Sequence, residues 1–309
     1  MTKSLGVNTE YLRGSELWRQ VLATTESALA GGALQPIPTH CYHRPVAFHG
    51  HSLNFQVRVV DNLARKARDM RERAAQAPTP EGFNPFLPYD TALYVGELTA
   101  RYRCLLNKFN VMNQHALMVT TTFAQQREPL HRDDFLAAAL CLQAHEGLVF
   151  YNGGREAGAS VEHKHLQMIP LPFGAPTEPP FPLAALFADL QLAENGDGLS
   201  CPHLPFRHSI AKAVYLSDDA ETAADTNCRR YQQLLQALNL TPEHDGLMPP
   251  HNMLLTRNYL WVVPRTRESH QGIAVNALGF AGTFLVKDEQ QLAQLGKIGA
   301  MEILMRVSG

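Results

Sequence analysis

The chain is poor in charge and has no long apolar run. Of its 309 residues, 18% are Asp, Glu, Lys or Arg, below the ~25% of an average soluble domain. The 27 basic and 29 acidic residues leave a net charge of −2, without the domain-wide basic excess that marks a nucleic-acid binder. No stretch of about 18 consecutive apolar residues occurs, so no membrane span is expected. The opening residues, Met1-Thr2-Lys3-Ser4-Leu5-Gly6, lack the apolar core of a secretion signal. Cysteine is scarce and irregular: Cys41, Cys104, Cys141, Cys201 and Cys228 form no CxxC pair. That favours reduced thiols in a cytoplasmic protein over a disulfide framework. Cys104 and Cys141 lie in apolar stretches and are expected in the core. What is plentiful is apolar side chain, 45% of the chain, and histidine, 14 residues.

Periodicity sets the coarse organisation. Leu17, Val21, Leu22 and Leu29 have helical spacing, and Gly31-Gly32 stops that helix. The remainder of the first fifty residues reads as loop. Residues 54–60 (NFQVRVV) alternate as a strand does. A stretch carrying Arg65, Lys66, Arg68, Arg71 and Arg73, mixed with Asp69 and Glu72, reads as a solvated helix face. Residues 78–88 form a proline-punctuated loop. Strands are expected at 102–106, 116–122, 148–151 and 163–169. A helix is expected at 130–146, with Asp133 and Asp134 suited to its positive end and Gly147 as its stop. Six prolines between Pro170 and Pro182 mark a boundary, dividing an N-terminal part, 1–180, from a C-terminal part, 181–309. The second part reads as a helix at 226–238, a hairpin at 252–263 around Arg257-Asn258, two glycines among apolar residues at 273–286, and a last helix at 289–307. Without a regular βαβ repeat, this is an α+β pattern with mainly antiparallel pairing, flanked by helices.

The informative segment is His163-Lys164-His165-Leu166-Gln167-Met168. Alternate strand residues share a face, which puts His163, His165 and Gln167 together and Lys164, Leu166 and Met168 opposite. The stripe follows the glycine-rich loop Asn152-Gly153-Gly154-Arg155-Glu156-Ala157-Gly158-Ala159-Ser160, whose backbone N–H groups can receive an anion. A neutral imidazole beside such a cradle can attack phosphorus and form a covalent intermediate. Its other ring nitrogen needs an acceptor that holds the tautomer. The Gln167 amide can donate to a phosphate oxygen but is no acid.

These residues resemble the histidine-triad superfamily and, within it, the diadenosine tetraphosphate phosphorylase (ATP adenylyltransferase) family. Further segments carry the likeness in the family's order: Leu106-Asn107-Lys108-Phe109-Asn110-Val111 with His115, Asn252-Met253-Leu254-Leu255-Thr256 with Val262-Val263-Pro264-Arg265, and Asn276-Ala277-Leu278-Gly279-Phe280-Ala281-Gly282 with Lys287. The resemblance implies a histidine-triad-like fold. It also implies that His165 is the nucleophile, that Gln167 binds a phosphate oxygen of the transferred group, and that His163 supports the site. Asn152, Gly158, Ala159 and Ser160 would bind phosphates. Asn107, Lys108 and Lys66 would contact the polyphosphate, and Asn276, Ala277, Leu278, Thr283 and Lys287 would complete the site from the C-terminal part. Ala277 and Leu278 depart from the small hydroxyl residues often found after the Asn276 position, so that subsite is the least family-like. The implied partners are diadenosine polyphosphates, ATP, ADP, AMP and inorganic phosphate, with no nucleic acid and no membrane. No organic cofactor is expected, no metal ligand is assigned, and Mg²⁺ would arrive as a charge shield on the substrate.

Three other readings stand beside this one. A dinucleoside polyphosphate hydrolase or hexose-1-phosphate uridylyltransferase of the same superfamily would use the same stripe, although Gln167 in place of a third histidine resembles the transferase branch. A nucleotide-binding sensor without turnover would have no need of a nucleophile. The cluster His40, Cys41, His43, His49 and His51 could hold zinc, but it matches no closed tetrahedral motif and reads as a loop near the substrate or the surface. His115, His145, His203, His208, His244, His251 and His270 show no usable pattern and are expected to be structural or superficial.

Overall fold

The computed structural model describes residues 11–60, 84–192 and 199–309. Lys66 and the basic stretch at 65–73 lie outside the described residues. Among the described residues the strands are β1 (Thr39–Phe48), β2 (His51–Val60), β3 (Tyr94–Glu97), β4 (Tyr102–Leu106), β5 (Ala116–Thr120), β6 (Gly147–Gly153), β7 (His165–Pro170), β8 (Gln191–Leu192), β9 (Leu199–Ser200), β10 (Ser209–Lys212), β11 (His251–Leu255), β12 (Tyr259–Pro264), β13 (Ser269–His270), β14 (Ile273–Ala274) and β15 (Thr283–Val286). The helices are α1 (Gly14–Ala30), α2 (Arg132–Ala144), α3 (Ala220–Ala237), α4 (Glu289–Ile298) and α5 (Ala300–Val307). The architecture is α+β and largely antiparallel.

Ten strands form one sheet in the order β3-β4-β5-β7-β6-β11-β12-β10-β9-β8. β6 pairs with β11 in a register that sets Asn152 opposite Asn252. One sheet therefore runs through residues from both sides of the proline-rich stretch. β1, β2 and β15 form a second, three-stranded sheet. There Thr283–Val286 pair parallel with Gln56–Val59, the one departure from antiparallel pairing among the described strands.

Around β6, β11 and β12 both faces of the large sheet are covered, which is why those strands read as apolar runs. Strand alternation sorts them. On one face Val149, Tyr151, Leu166, Met168 and Met253 pack under α1, α2 and α3. On the other, Leu148, Phe150, Leu254 and Trp261 meet the second sheet through Phe55 and Phe284, and meet α5 through Ile303 and Leu304. Burying a side chain such as Phe150 contributes about 1.5–3 kcal/mol. β7 lies between β5 and β6, so the central strand carries the His165 motif.

Several expectations are corrected. Residues 40–48 lie on an exposed strand, β1, in full register with β2 as a hairpin, and His51 opens β2; β1 is an edge strand held by backbone pairing to β2 on one side, so few of its side chains need burial. Helix α2 ends at Ala144, and Gly147 opens β6. There a Cβ would lie 2.4 Å from the Met168 side chain, so the position has no room for one. The expected last helix is two helices, α4 and α5, because Gly299 between them adopts φ +91°, a left-handed conformation that glycine tolerates. The 163–169 strand begins at His165, and His163 forms an isolated bridge with Gln125. Cys104 and Cys141 are buried as expected, and all five thiols are free.

Candidate active site

His165 projects from the first position of β7 and is buried. Its Nδ1–H donates to the His163 carbonyl at 2.8 Å. That bond fixes the tautomer and leaves the Nε2 lone pair available for attack. Burial lowers the pKa of His165 to about 4, although the His163 carbonyl works in the opposite direction. The ring is therefore neutral at pH 7. The backbone around it is held by Gln126, whose Oε1 accepts the His165 N–H at 2.8 Å while its Nε2 donates to the carbonyls of Asn152 and His165 at 2.9 and 3.1 Å.

His163 does not line the cavity. Its ring bonds Thr120 through Nε2, 2.8 Å to Oγ1, and Asn84 through Nδ1, 2.8 Å to Nδ2. The Phe86 ring stands edge-on to both imidazoles, with centroids 5.6 Å from His163 and 5.3 Å from His165. The role of His163 is thus to hold the carbonyl that orients His165. On the opposite face Lys164 is buried, pairs with Asp134 at 3.2 Å and donates to the Pro129 carbonyl at 2.8 Å. Asp134 also accepts from the Tyr102 hydroxyl, so this residue, expected only as a helix-end charge, anchors β7 from behind.

A chain of fixed polarity ends at Gln167. The Phe109 N–H donates to Asn107 Oδ1 at 3.2 Å, which turns Asn107 Nδ2 toward His115 Nδ1 at 3.2 Å. The proton of His115 then sits on Nε2 and reaches Gln167 Oε1 at 2.9 Å. With its oxygen occupied, Gln167 offers its Nε2 as the remaining donor. Burial lowers the pKa of His115 to about 4, against the Gln167 bond, so the ring stays neutral and the polarity holds. In the sequence His115 stood beside the family-like segment 106–111 without a role of its own. The fold gives it one by placing it just before β5, where Ala116 pairs Met168 and Leu117 pairs Gln167.

His165 and Gln167 open into a cavity of about 870 Å³. Leu93, Leu105, Leu117, Phe86 and Tyr89 give it apolar walls, while Asn107, Lys108, Asp90 and Ser160 supply polar edges. Lys108 Nζ lies 3.4 Å from Asp90. The size and lining suit a nucleoside with its phosphates at the polar rim.

A second cleft, about 220 Å³, adjoins it and shares Ser160. It is bordered by Gly158, Asn276, Thr283, Lys287 and Glu268. The Thr283 hydroxyl is buried without a hydrogen-bond partner among the described residues. Gly158 has φ +89°, and a Cβ there would lie 2.7 Å from the Asn276 Cβ, so only glycine lets the loop dock on this turn. The glycine-rich loop is a less open cradle than expected. The Gly158 and Ala159 N–H groups donate inward, to Arg155 and Gly154 carbonyls at 2.8 and 3.0 Å. Their amides are spent on the loop's own turn, and Ser160 is the loop residue that lines both cavities.

Similarity to known proteins is consistent along the chain. Residues 7–189 match the Ap4A phosphorylase N-terminal domain, and residues 202–309 match the ATP adenylyltransferase C-terminal domain. The chain belongs to the Ap4A phosphorylase family. Diadenosine 5',5'''-P1,P4-tetraphosphate phosphorylase 2 of Saccharomyces cerevisiae is 31% identical over 238 residues, 69% of this chain and 71% of the relative. The crystal structure of yeast Ap4A phosphorylase Apa2 in complex with AMP superposes with a TM-score of 0.74 at 26% identity, covering 96% of this chain and 97% of that one. A crystal structure of the same yeast enzyme in complex with Ap4A gives a TM-score of 0.74 at 24% identity, covering 96% and 98%.

Within this member of the family, His165, Gln167, Asn107, Lys108 and Ser160 meet at one cavity, and Gly158, Asn276, Thr283 and Lys287 meet at the adjoining cleft. Asn152 is buried beneath the loop. Ala277 and Leu278 are corrected: both side chains are buried in the core. Their N–H groups go to Asn152 Oδ1 and Asn276 Oδ1, each at 3.0 Å. As apolar residues on a tight turn they support the cleft from behind and do not line it. The histidine cluster divides. His51 and His203 both bond Asp189, the latter at 3.3 Å, and the His49 ring stacks on His203 at 4.5 Å. His43 instead bonds Asn54 on the neighbouring strand. Among the described residues no group of three or more His, Cys, Asp or Glu side chains is arranged to hold a metal ion. His251 is buried, bonding Tyr231 and the Pro249 carbonyl. Among the described residues no helix is long and apolar enough to cross a membrane.

Proposed function

We infer that this chain is an enzyme that phosphorolyses diadenosine tetraphosphate to ADP and ATP through a covalent adenylyl-histidine. The observation that carries the reading is a neutral His165 whose Nδ1–H is held by the His163 carbonyl, on a cavity it shares with Gln167. His165 Nε2 attacks the α-phosphorus of one nucleotidyl group. The bond from that phosphorus to the bridging oxygen breaks, and ATP leaves. An oxygen of inorganic phosphate then attacks the same phosphorus, the P–N bond breaks, and ADP is released with His165 restored. The Gln167 amide donates to a non-bridging oxygen as charge builds there; fixed donors in a dry site usually supply the largest catalytic contribution.

One nucleoside occupies the large cavity, and the phosphate chain passes Ser160 toward Asn276, Thr283 and Lys287. Lys108 and Lys287 act on it as compact cations, and Lys66 is assigned the same role on the family likeness alone. Mg²⁺ enters as a passenger on the polyphosphate. A cytoplasmic location is supported by the unpaired thiols.

The test is the product pattern. With diadenosine tetraphosphate and phosphate, ADP and ATP accumulate in equal amounts as phosphate is consumed. AMP without phosphate consumption would make the chain a hydrolase, and transfer of a uridylyl group from a UDP-sugar to a hexose-1-phosphate, without turnover of diadenosine tetraphosphate, would make it a uridylyltransferase. Nucleotide binding without turnover and without an adduct on His165 would leave only a sensor.

A further inference from the structure

A buried arginine sits behind the glycine-rich loop, away from both cavities. Arg265, at the end of the β11–β12 hairpin, is 4% exposed. Its Nε donates to the Val307 carbonyl at 3.1 Å, and its Nη2 to the carbonyls of Arg267 and Val275 at 2.9 and 2.8 Å. Its Nη1 donates to Asn252 Oδ1 at 2.6 Å. A guanidinium has donors and no acceptor, so Asn252 must face it with oxygen. Asn252 Nδ2 is then committed to the other side, where it reaches Asn152 Oδ1 and the Ala157 carbonyl, both at 2.9 Å. Asn152 Oδ1 accepts a second bond, from the Ala277 N–H at 3.0 Å. With that oxygen doubly engaged, Asn152 Nδ2 is the half of the amide left to donate.

We propose that Arg265 and Asn252 are positioning residues that lock the Asn152 amide with Nδ2 as its free donor, for a non-bridging oxygen of the phosphate chain. The relay reads polarity from one unambiguous donor, the guanidinium, across two side-chain amides. It joins the glycine-rich loop at Ala157 to the C-terminal turn at Ala277, so one buried charge aligns both walls of the smaller cleft. The inference rests on the reading of Asn152 as a phosphate donor.

Asn252→Asp tests it because the shape is kept while one end of the relay changes sign. One carboxylate oxygen still pairs with Arg265. The other faces the Asn152 and Ala157 oxygens, and relief comes when the Asn152 amide turns over. Its oxygen then faces the phosphates. The expected result is a loss of about tenfold to a hundredfold in kcat/KM for diadenosine tetraphosphate, with unchanged affinity for adenosine, which carries no phosphate. Wild-type kcat/KM in Asn252→Asp overturns the relay. An equal loss of adenosine affinity also overturns it, since the defect is then general.

Asn152→Ala separates the premise from the proposal. If it retains wild-type kcat/KM, the phosphate role of Asn152 fails. If it loses activity while Asn252→Asp does not, only the relay fails. Should Asn252→Asp not fold, Asn252→Ser replaces it. In an Asn152→Ala background the added loss from either change is expected to be under about twofold, and losses that multiply overturn the proposal.

Discussion

The two cavities of the site are built in different ways. The larger one rests on β4, β5 and β7, adjacent strands of one sheet whose side chains alternate between cavity and core. His165 and Gln167 face it because they are two residues apart on β7, and Asn107 and His115, just past the ends of β4 and β5, orient Gln167. The smaller cleft has no such regular support. It is assembled from the glycine-rich loop, a 3₁₀ turn (Ala277–Ala281) and the start of β15. Its alignment depends on Asn152, Asn252 and Arg265, which are far apart in the chain. A strand orders the first region through local geometry, whereas buried side-chain hydrogen bonds order the second.

The sharpest break in that comparison is His165→Ala. It removes the proposed nucleophile and leaves the smaller cleft untouched. Turnover is expected to fall by about 10⁴-fold or more, since removing a covalent nucleophile forfeits the two-step route. Intact-mass analysis should lose the adenylyl adduct while nucleotide binding persists. An adduct surviving in this variant would place the chemistry elsewhere.

Lys164→Met probes the back of the same strand. It leaves the Asp134 carboxylate buried without its cation, and breaking a buried pair costs about 3–5 kcal/mol. Denaturant titration should show that loss of stability. An undiminished midpoint would mean β7 is held by its neighbours alone.

Acid should weaken the first region through its histidines. His115, His165 and the structural His251 have folded pKa values of about 4, lowered by burial from an ordinary 6.5. Between those values the unfolded chain binds the extra protons, so unfolding is favoured as pH falls. Each ring's stabilisation is complete above about 6.5 and is lost as pH falls toward 4, by about 2–3 kcal/mol per ring. Melting temperature measured from pH 7.5 to 4.5 should fall monotonically. The acid limb of kcat/KM should sit well below 6.5, and a limb at 6.5 would mean that the free-enzyme nucleophile is solvated.

The smallest effect is expected in the second region. Lys287 is exposed at its rim, so Lys287→Ala should raise KM for diadenosine tetraphosphate by about tenfold with little change in kcat. Equal losses in both would move Lys287 from binding the chain to stabilising the transition state.

Much of the first region was legible along the chain. Alternation in His163-Lys164-His165-Leu166-Gln167 separated a polar face from the core face, and β7 keeps that separation from His165 onward, whereas His163 precedes the strand and does not line the cavity. Periodicity with proline and glycine punctuation placed the helices, the last two as one, and the longer apolar strands β2, β4, β5, β6, β7, β11 and β12, while the short strands of two to four residues passed unseen. The β1 strand was missed because its polar, solvated residues lack the apolar alternation by which a strand is recognised; its pairing with β2 supplies the order. His115 was missed because its role depends on the register of β5 against β7. Ala277 and Leu278 were assigned to the substrate by position in a motif, yet their apolar side chains turn into the core.

By itself the sequence determined the groups available here: an imidazole and an amide two residues apart on one strand, and a glycine-rich loop before it. Local rules suffice for that, because a strand's two-residue period and a glycine's tolerance of positive φ need no distant partner. The tertiary structure decided which way each polar group points. Phe109, Ala277 and Arg265 offer donors that cannot be reversed, and those donors orient Gln167 and Asn152. Such polarity passes only through hydrogen bonds between residues that folding brings within about 3 Å of one another.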